Sequence, residues 1–492
     1  MTSVLDASGR MSDGGRWLPG LILVISAAAA LRVAALVASP AELPDAVTYS
    51  HMAAGLLERG ELADPDGNRA RVMPGYPLFL AGCRAAFGGS HLAWRVPQAL
   101  LGVATVLAVC LLARRLFGER AALAAGWLSA LDPFLIGFGA QMLTEGLSLC
   151  LLAWAALLAW RSRGASVGGG DDSGSGGRRT GGPLWSAAGA GLVVALVALV
   201  RPAGALIGIV LVLGALLLPG AGRPRPRNAL GRAALAMAVC LAALSPWWVR
   251  NGRVLGHFVP LSTDGGQSLY EANSPSATGG PAIPETVGVR LRGAPPMGEL
   301  ERDRLLGGEA RAWIAENPGR FARLAAVKLA RTWSPLPNFH DYRSWRYALP
   351  SLLAWLAVMG LAGFGAWRGC RCRPFDRLTA RALSAVEGVS DVSTAPAVGG
   401  SPLTPDTRNL KTAVLFCVLP VLFVAAAHMI WIGSVRYRMP AWIFLEVLAG
   451  AGAAWLWERL SRRWRNTEAA TAGSPDQSAA SSRSPSVSSR TP

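Results

Sequence analysis

Charged residues are scarce in this sequence. They make up 16% of its 492 residues, against 52% hydrophobic residues, and the mean hydropathy is +0.34. Soluble domains carry about 25% charged residues, so a soluble globular protein, a disordered chain and a collagen-like fibre all fit poorly. At about 20 apolar residues per membrane crossing, the composition predicts an all-α polytopic membrane protein with about ten transmembrane helices.

Lysine is nearly absent, and the seven cysteines suggest no disulfide framework. Among 48 basic residues, only Lys328 and Lys411 are lysines, and with 30 acidic residues the formal net charge is +18. Most of the cysteines lie in apolar runs, where a thiol behaves as a small hydrophobe. Cys370 and Cys372 form a C-x-C with no second pair and no nearby histidine, which argues against a zinc site.

Ten apolar runs are candidates for membrane crossings. They are residues 17–38, 94–113, 121–131, 142–160, 185–200, 203–218, 230–249, 349–367, 412–431 and 441–457. The third run is short, and the apolar segment 134–138 extends it past Pro133. The first run lacks an A-x-A-like cleavage site, so it predicts an uncleaved anchor and not a signal peptide.

Arginine is concentrated in alternate connections between these runs. The rich segments are 114–120, 161–179, 223–232, 368–381 and 459–465. The positive-inside rule then places these segments and both termini in the cytoplasm, and the loops 39–93 and 250–348 outside. The basic excess is therefore topological, and no nucleic-acid partner is expected.

The chain divides into one membrane domain and polar segments around it. Residues 1–16 form a cytoplasmic N-terminus, and residues 17–460 form the transmembrane domain. Residues 164–182 and 395–406, within the cytoplasmic linkers 161–183 and 368–411, are predicted to be disordered, as is the tail 461–492. These segments are too polar to bury a core.

The outer loops contain three predicted helices. Apolar residues recur at helical spacing through 45–60, which predicts an amphipathic helix along the membrane surface with Asp45 near its start. Helices are also expected over 299–317 and 319–333, separated at Pro318-Gly319.

Several ionisable residues lie on the predicted outer face, where each is a candidate for function. They are Asp45, Arg71, Asp132, Glu145, Arg201, Arg250, Arg436 and Arg438. Asp132 precedes a proline and is typical of a helix cap, whereas Glu145 suits either an ion pair or function. Arg201 suits either snorkelling to the interface or function, and His428 either a polar contact or catalysis. Two arginines in Arg436-Tyr-Arg438 at a helix entrance favour an anion ligand.

Carboxylates and guanidinium groups on one membrane face suit a particular chemistry. Sugar transfer from a polyprenyl-phosphate donor needs arginines for the lipid phosphate. It also needs a base for the acceptor hydroxyl, which an aspartate at a helix start can supply, and an apolar groove for the lipid tail.

At these residues the sequence resembles the GT-C superfamily of integral-membrane glycosyltransferases. Within it, the likeness is to bacterial family-39-like enzymes related to protein O-mannosyltransferases and lipid A aminoarabinose transferases. The motifs are Asp45-x-x-x-Tyr49, the segment 71–80 with Arg71 and Tyr76, Thr144-Glu145, the segments 246–251 and 258–266, and Arg436-Tyr437-Arg438-Met-Pro440.

The resemblance implies an inverting transfer at the outer face of a bacterial cytoplasmic membrane, with a polyprenyl-phosphate sugar as donor. Asp45 matches the essential acid, and Arg436 and Arg438 match the segment near the lipid phosphate. The supporting candidates are Tyr49, Arg71, Tyr76, Glu145, Arg201, Arg250, His428 and Tyr437.

The sequence departs from the family pattern next to Asp45. Mannosyltransferases of the family often carry an adjacent Asp-Glu pair, whereas Ala46 follows Asp45 here, so a lipid, a polysaccharide and a protein all remain open as acceptors. Some relatives bind a divalent metal, which leaves a metal open as well. Asp64-Pro-Asp66 has a suitable spacing but is interpreted as a turn.

Two other functions are open alternatives. A multi-span transporter or lipid flippase fits the composition, but no repeat relates the two halves and the charges gather at one face. A non-catalytic assembly or polymer-export subunit fits as well, and it predicts no loss of phenotype when Asp45, Arg436 and Arg438 are neutralised.

Overall fold

The chain is helical throughout the residues that the computed structural model describes, namely 13–38, 44–164, 182–219, 224–338, 344–371 and 407–472. No strand occurs among them. Outside this part lie residues 165–181 of the predicted disordered segment 164–182, the predicted disordered segment 395–406, most of the N-terminus 1–16 and residues 473–492.

Seventeen α-helices are described. They are α1 (Asp13–Ala38), α2 (Pro44–Arg59), α3 (Gly75–Phe87), α4 (His91–Phe117), α5 (Glu119–Leu131), α6 (Pro133–Ala140), α7 (Thr144–Arg161), α8 (Gly182–Val200), α9 (Pro202–Leu217), α10 (Pro226–Leu255), α11 (Gly265–Ala272), α12 (Val289–Leu291), α13 (Glu299–Glu316), α14 (Pro318–Thr332), α15 (Trp345–Arg371), α16 (Thr407–Ile430) and α17 (Met439–Ala472). A π-helical turn, Pro284–Gly288, precedes α12, and a 3₁₀ turn, Val435–Arg438, leads into α17.

The predicted all-helical polytopic membrane fold is confirmed. Among the described helices, however, fewer than the ten predicted crossings are long and apolar enough to span a membrane. Seven described helices are long and apolar enough to cross a membrane. The pair α5 and α6, bent by 54° at Asp132–Pro133, makes an eighth. The other two predicted runs correspond to α7 and α9. Helix α9 has only 16 residues, and α7 carries Glu145 and Arg161 in its end turns.

Helix α17 is the central helix of the bundle. In its apolar window 78% of the residues are buried, against 22% in the corresponding window of α1. It packs against α5, α15 and α16. Small residues allow this: a Cβ at Gly450 would lie 2.4 Å from the backbone oxygen of Ala121, and one at Gly452 would lie 2.0 Å from that of Leu361. Close backbone approach at small residues is typical of helix packing in membranes.

Helix α17 also extends beyond the predicted membrane domain. It continues to Ala472, so residues 461–472 of the predicted disordered tail are helical. No glycine or proline interrupts the sequence between Gly452 and Gly473, and a helix already anchored in the bundle therefore propagates without a new nucleus.

The segments between α1 and α4 and between α10 and α15, which the sequence predicts to lie outside, form the predicted helices and pack against each other. Helices α2, α13 and α14 match the predicted segments to within a residue or two, and α13 ends where Pro318 begins α14. Glu299 accepts hydrogen bonds from the backbone N–H groups of Arg69 (3.0 Å) and Ala70 (3.1 Å). It also accepts one from the hydroxyl of Thr263 (2.9 Å). The first loop is thereby fixed on the second.

Candidate active site

Four charged residues from distant parts of the chain meet at one end of the bundle. Asp45 lies in the first turn of α2, Glu145 in the first turn of α7, Arg201 directly before α9, and Arg436 in the 3₁₀ turn before α17. We refer to Asp45, Glu145, Arg201 and Arg436 as the arginine–carboxylate cluster. Because helices begin beside all four residues, the partial positive charges of the helix N-termini also gather here.

Glu145 holds the two arginines of the cluster side by side. Its side chain is 1% exposed, and it accepts hydrogen bonds from Nε and Nη2 of Arg436, the latter at 3.2 Å, and from Nη1 of Arg201. A buried carboxylate needs such partners because desolvation of an unpaired charge is costly. Glu145 therefore fixes the positions of both guanidinium groups.

Asp45 occupies the open side of the cluster. Its Oδ2 accepts a hydrogen bond from Nη1 of Arg436 at 2.6 Å, while its side chain remains 45% exposed. Arg201 is 20% exposed and Arg436 14%. The cluster thus presents one accessible carboxylate next to two partly accessible guanidinium groups, and its formal charges balance.

Aromatic residues line the cluster. Tyr49 and Tyr76 pack edge to face with ring centroids 4.9 Å apart, and the Tyr76 hydroxyl donates to Oε1 of Gln98. Burial raises the pKa of Tyr49 above its usual range, and the charge of Asp45 adds to the increase. Because burial and the charge of Asp45 both disfavour the ionised form, the hydroxyl of Tyr49 stays neutral, so it can donate a hydrogen bond but does not serve as a base.

His428 and Tyr437 stack on each other next to Arg201. Their rings stack with centroids 5.1 Å apart, and the guanidinium carbon of Arg201 lies 5.6 Å from the Tyr437 ring centroid. Nδ1 of His428 is 2.8 Å from the backbone oxygen of Ile432. His428 is therefore engaged in a backbone hydrogen bond and a stacking contact.

Arg438 lies outside the cluster, although the sequence pairs it with Arg436 at one phosphate. It is fully buried, donates from Nη1 to the backbone oxygen of Ser334, and stacks on Trp442 at 4.4 Å. The reason is helical geometry: a 3₁₀ turn has three residues per turn, so side chains two positions apart point in different directions. Arg436 alone reaches Asp45.

Asp132 is the helix cap that its place before Pro133 predicts. Its Oδ1 accepts hydrogen bonds from the backbone N–H groups of Phe134 (2.8 Å) and Leu135 (2.9 Å), at the start of α6. Its Oδ2 accepts from Nε1 of Trp442 at 2.8 Å. This carboxylate therefore connects the bend between α5 and α6 to α17. The positive charge of Arg438 attracts the same carboxylate.

Arg71 and Arg250 lie in the contact between the outer loops and not in the cluster. Arg71 pairs with Asp64, with Nε and Oδ2 2.5 Å apart. Arg250 donates to the backbone oxygens of Arg69 (2.7 Å) and Leu62 (3.1 Å). Both arginines hold the loop that connects α2 to α3.

Asp64 organises a turn, and its charge is balanced by the side chain of Arg71. Its Oδ1 accepts from the backbone N–H groups of Asp66 and Asn68, both at 2.9 Å. Burial disfavours its charge, but the hydrogen bonds from Asn68 and the charge of Arg71 hold the pKa of this carboxyl below its usual range. Within the described residues no group of three or more His, Cys, Asp or Glu side chains could hold a metal ion.

Sequence reasoning did not identify Lys328 as part of this region. Its Nζ donates to Oδ1 of Asn273 (2.7 Å) and to the backbone oxygen of Ile430 (2.9 Å), and Nδ2 of Asn273 donates to the same oxygen (2.9 Å). Burial lowers the pKa of Lys328 to about 8. The outer helix α14 is thereby attached to the end of α16, just before the segment that carries Arg436.

Glu271 was not identified either, because no motif surrounds it. It is 3% exposed and accepts a hydrogen bond from the backbone N–H of Ala282 at 2.7 Å. Burial raises its pKa to about 7, and the charges of Asp264 and Glu285 act in the same direction. Glu271 also interacts electrostatically with Tyr437, the residue that follows Arg436.

The pKa of Glu271 predicts a pH dependence of stability. The pKa rises from an ordinary value of 4.5 to about 7 on folding, so the folded state holds an extra proton between these values. The resulting contribution to the free energy of unfolding is complete below pH 4.5 and is lost as the pH rises through 7. We expect the Tm in detergent micelles to fall less between pH 5 and pH 8 for Glu271→Gln than for wild type.

The matched control for this measurement is Glu316→Gln, since Glu316 is an exposed acid at the end of α13 and is not among the charges that act on Glu271. It should show the same pH dependence as wild type. Parallel Tm curves for wild type and Glu271→Gln would contradict the prediction.

Two proteins of known structure are similar to this chain. Against the oligosaccharyltransferase of Archaeoglobus fulgidus in the apo form it is 16% identical, with a TM-score of 0.46, over 92% of this chain and 52% of that one. Against ArnT from Cupriavidus metallidurans bound to undecaprenyl phosphate it is 15% identical, with a TM-score of 0.42, over 88% and 77%. The chain spans about half the length of the oligosaccharyltransferase. No curated protein matches it.

One family model matches part of the sequence. Residues 71–164 match the model described as dolichyl-phosphate-mannose-protein mannosyltransferase. The matched segment contains Arg71, Tyr76 and Glu145, three of the residues on which the predicted resemblance rests. Residues 71–164 therefore resemble this family of membrane glycosyltransferases, as the sequence motifs predicted.

Proposed function

We propose that this protein is a membrane glycosyltransferase that moves a sugar from a polyprenyl-phosphate donor to a lipid, polysaccharide or protein acceptor. The reaction takes place at the outer face of a bacterial cytoplasmic membrane. The observation that carries the proposal is the cluster itself. An accessible carboxylate, Asp45, lies beside Arg201 and Arg436 at the end of an apolar bundle. The family match over residues 71–164 supports the same reaction class.

Arg436 and Arg201 bind the donor phosphate in this proposal. Guanidinium groups suit phosphate because their N–H groups match its oxygens in pairs. Arg201 takes the place that the sequence assigns to Arg438, because Arg201 is partly exposed beside Arg436 whereas Arg438 is buried elsewhere. The helix N-termini at the cluster also favour an anion.

Asp45 is the general base. It removes the proton from an acceptor hydroxyl, whose oxygen then attacks the anomeric carbon of the donor sugar. The bond between that carbon and the phosphate oxygen breaks, and the arginines stabilise the charge on the departing polyprenyl phosphate. Because the nucleophile enters opposite the leaving group, the anomeric configuration inverts.

Glu145 is a positioning residue. It is buried and reaches only the two arginines and Thr144 among the described side chains. Its hydrogen bonds hold the guanidinium groups of Arg201 and Arg436 in place on the side of the cluster where Asp45 lies.

A transfer assay tests the proposal. Purified protein in lipid nanodiscs is given a panel of radiolabelled polyprenyl-phosphate sugars with cell-envelope extract as the acceptor source. We expect turnover of at least one donor by wild type. Arg436→Gln should reduce turnover by about 10²-fold or more, since it removes a phosphate contact made in the transition state.

The matched control is Arg253→Gln, the same change at an exposed arginine of α10, which should retain wild-type turnover. Equal activity of Arg436→Gln and wild type would contradict the assigned role of Arg436. Absence of both turnover and donor binding in wild type would overturn the enzyme proposal and favour the transporter alternative.

A further inference from the structure

Arg436 divides its nitrogens between two carboxylates of very different burial. Nε and Nη2 face Glu145, which is 1% exposed, while Nη1 alone faces Asp45, which is 45% exposed. The contact between Nη1 and Asp45 Oδ2 is 2.6 Å long. The proposed base and the proposed phosphate ligand are thus bonded to each other in the resting protein.

This contact conflicts with both proposed roles. While Oδ2 of Asp45 is hydrogen-bonded to Arg436, it is not free to accept the proton of an acceptor hydroxyl. The same Nη1–H group cannot serve a phosphate oxygen at full strength while it is bonded to Asp45. One of the two carboxylates, Asp45 or Glu145, must therefore release Arg436 before the phosphate can bind to it.

The geometry identifies Asp45 as the group that leaves. Glu145 accepts three hydrogen bonds from the two arginines, and its displacement would leave a buried carboxylate without partners, which is costly. Asp45 makes one hydrogen bond with Arg436, and its side chain is already half in solvent. Rotation of the Asp45 side chain breaks the contact at little cost in desolvation.

We propose that the donor phosphate displaces Asp45 from Nη1 of Arg436, so that Asp45 becomes a free base only after the donor has bound. This inference rests on the proposed function and adds an order to it, in which the donor binds first and the acceptor hydroxyl is deprotonated second. In the empty site the ion pair engages Asp45 and Nη1 of Arg436 with each other.

Binding of a lipid phosphate without sugar tests the displacement. The probe is undecaprenyl phosphate, titrated into the full-length protein in nanodiscs. We expect Asp45→Asn and Asp45→Ala to bind it about three- to tenfold more tightly than wild type, the range expected for removal of a competing, partly exposed ion pair. Asp66→Asn, the same change at an exposed acid of the same loop, should bind like wild type.

A double-mutant cycle separates displacement from a general effect of removing a negative charge. A lysine in place of Arg436 keeps the positive charge, but it has one nitrogen where the guanidinium divides three between Glu145 and Asp45, and that nitrogen pairs with the buried Glu145. In the Arg436→Lys background we therefore expect Asp45→Asn to change the affinity by less than twofold. A purely electrostatic effect of Asp45 would persist in that background.

The outcomes distinguish this inference from the proposed function. Tight binding by wild type with equal or weaker binding by Asp45→Asn and Asp45→Ala would overturn the displacement and leave the transferase proposal standing. A gain in affinity of the same size in both backgrounds would also overturn it. No binding and no turnover by wild type would overturn both proposals.

Discussion

Asp45→Asn is expected to lower the rate of sugar transfer by about 10²- to 10⁴-fold, the range that general-base catalysis contributes. The asparagine keeps the shape of the side chain and can still accept a hydrogen bond from Nη1 of Arg436, but it cannot remove a proton. Because Asp45 is 45% exposed, the folded protein should tolerate the change. Single-turnover transfer by wild type and variant, at saturating donor, measures the effect.

The loss of transfer should coincide with tighter binding of undecaprenyl phosphate, as the displacement of Asp45 requires. A merely structural role of Asp45 would reduce both quantities together. The control is Asp66→Asn, which removes a carboxylate from the same outer loop without touching the cluster. Retention of most of the transfer rate in Asp45→Asn would remove Asp45 from the mechanism.

Arg32→Met is expected to lower the free energy of unfolding by about 3–5 kcal/mol, the usual cost of breaking a buried charge network on one side. Arg32 of α1 is 1% exposed and Glu446 of α17 is fully buried. Nη2 of Arg32 donates to the backbone oxygen of Ser129 at 3.3 Å, and the Ser129 hydroxyl donates to Glu446. Without Arg32, the backbone oxygen of Ser129 loses its charged donor, and Glu446 loses the positive charge that acts on it.

The double variant Arg32→Met/Glu446→Leu is the control for this prediction. Replacement of a buried charge network by apolar residues of similar size is often neutral or stabilising, so the double variant should be more stable than Arg32→Met alone. Unfolding in detergent micelles, followed by circular dichroism, compares the three proteins. A double variant less stable than Arg32→Met would show that the two charges do not depend on each other.

Hydropathy was sufficient to predict the helices, because each long apolar run must satisfy its own backbone hydrogen bonds within a membrane. The cap at Asp132 and the break at Pro318 were predicted, since proline and a capping carboxylate act locally, but the bend of 54° between α5 and α6 was not. The continuation of α17 to Ala472 was not predicted either, because residues 461–472 are mostly polar, although no glycine or proline breaks the helix there.

The assembly of the cluster could not be derived from local sequence. Glu145 and Arg436 are 291 positions apart, and only packing of α7 against α17 brings them together. Arg436 and Arg438 are neighbours in sequence but diverge in space, because the sequence does not reveal the 3₁₀ turn that separates them. Arg32 and Glu446 each lie alone in an apolar run, and their partnership depends on which helix faces they occupy.

The length of α17 sets the depth of the cluster in the membrane. Twenty positions separate Met439, where the helix begins, from Arg459, the first arginine of the predicted cytoplasmic end. At 1.5 Å per residue this segment is about 30 Å long, which equals the thickness of the hydrocarbon core of a bilayer. With Arg459 at the lipid headgroups of the cytoplasmic leaflet, as the positive-inside rule predicts, Arg436 is expected at the headgroup level of the other leaflet, where the phosphate of the proposed lipid donor would lie.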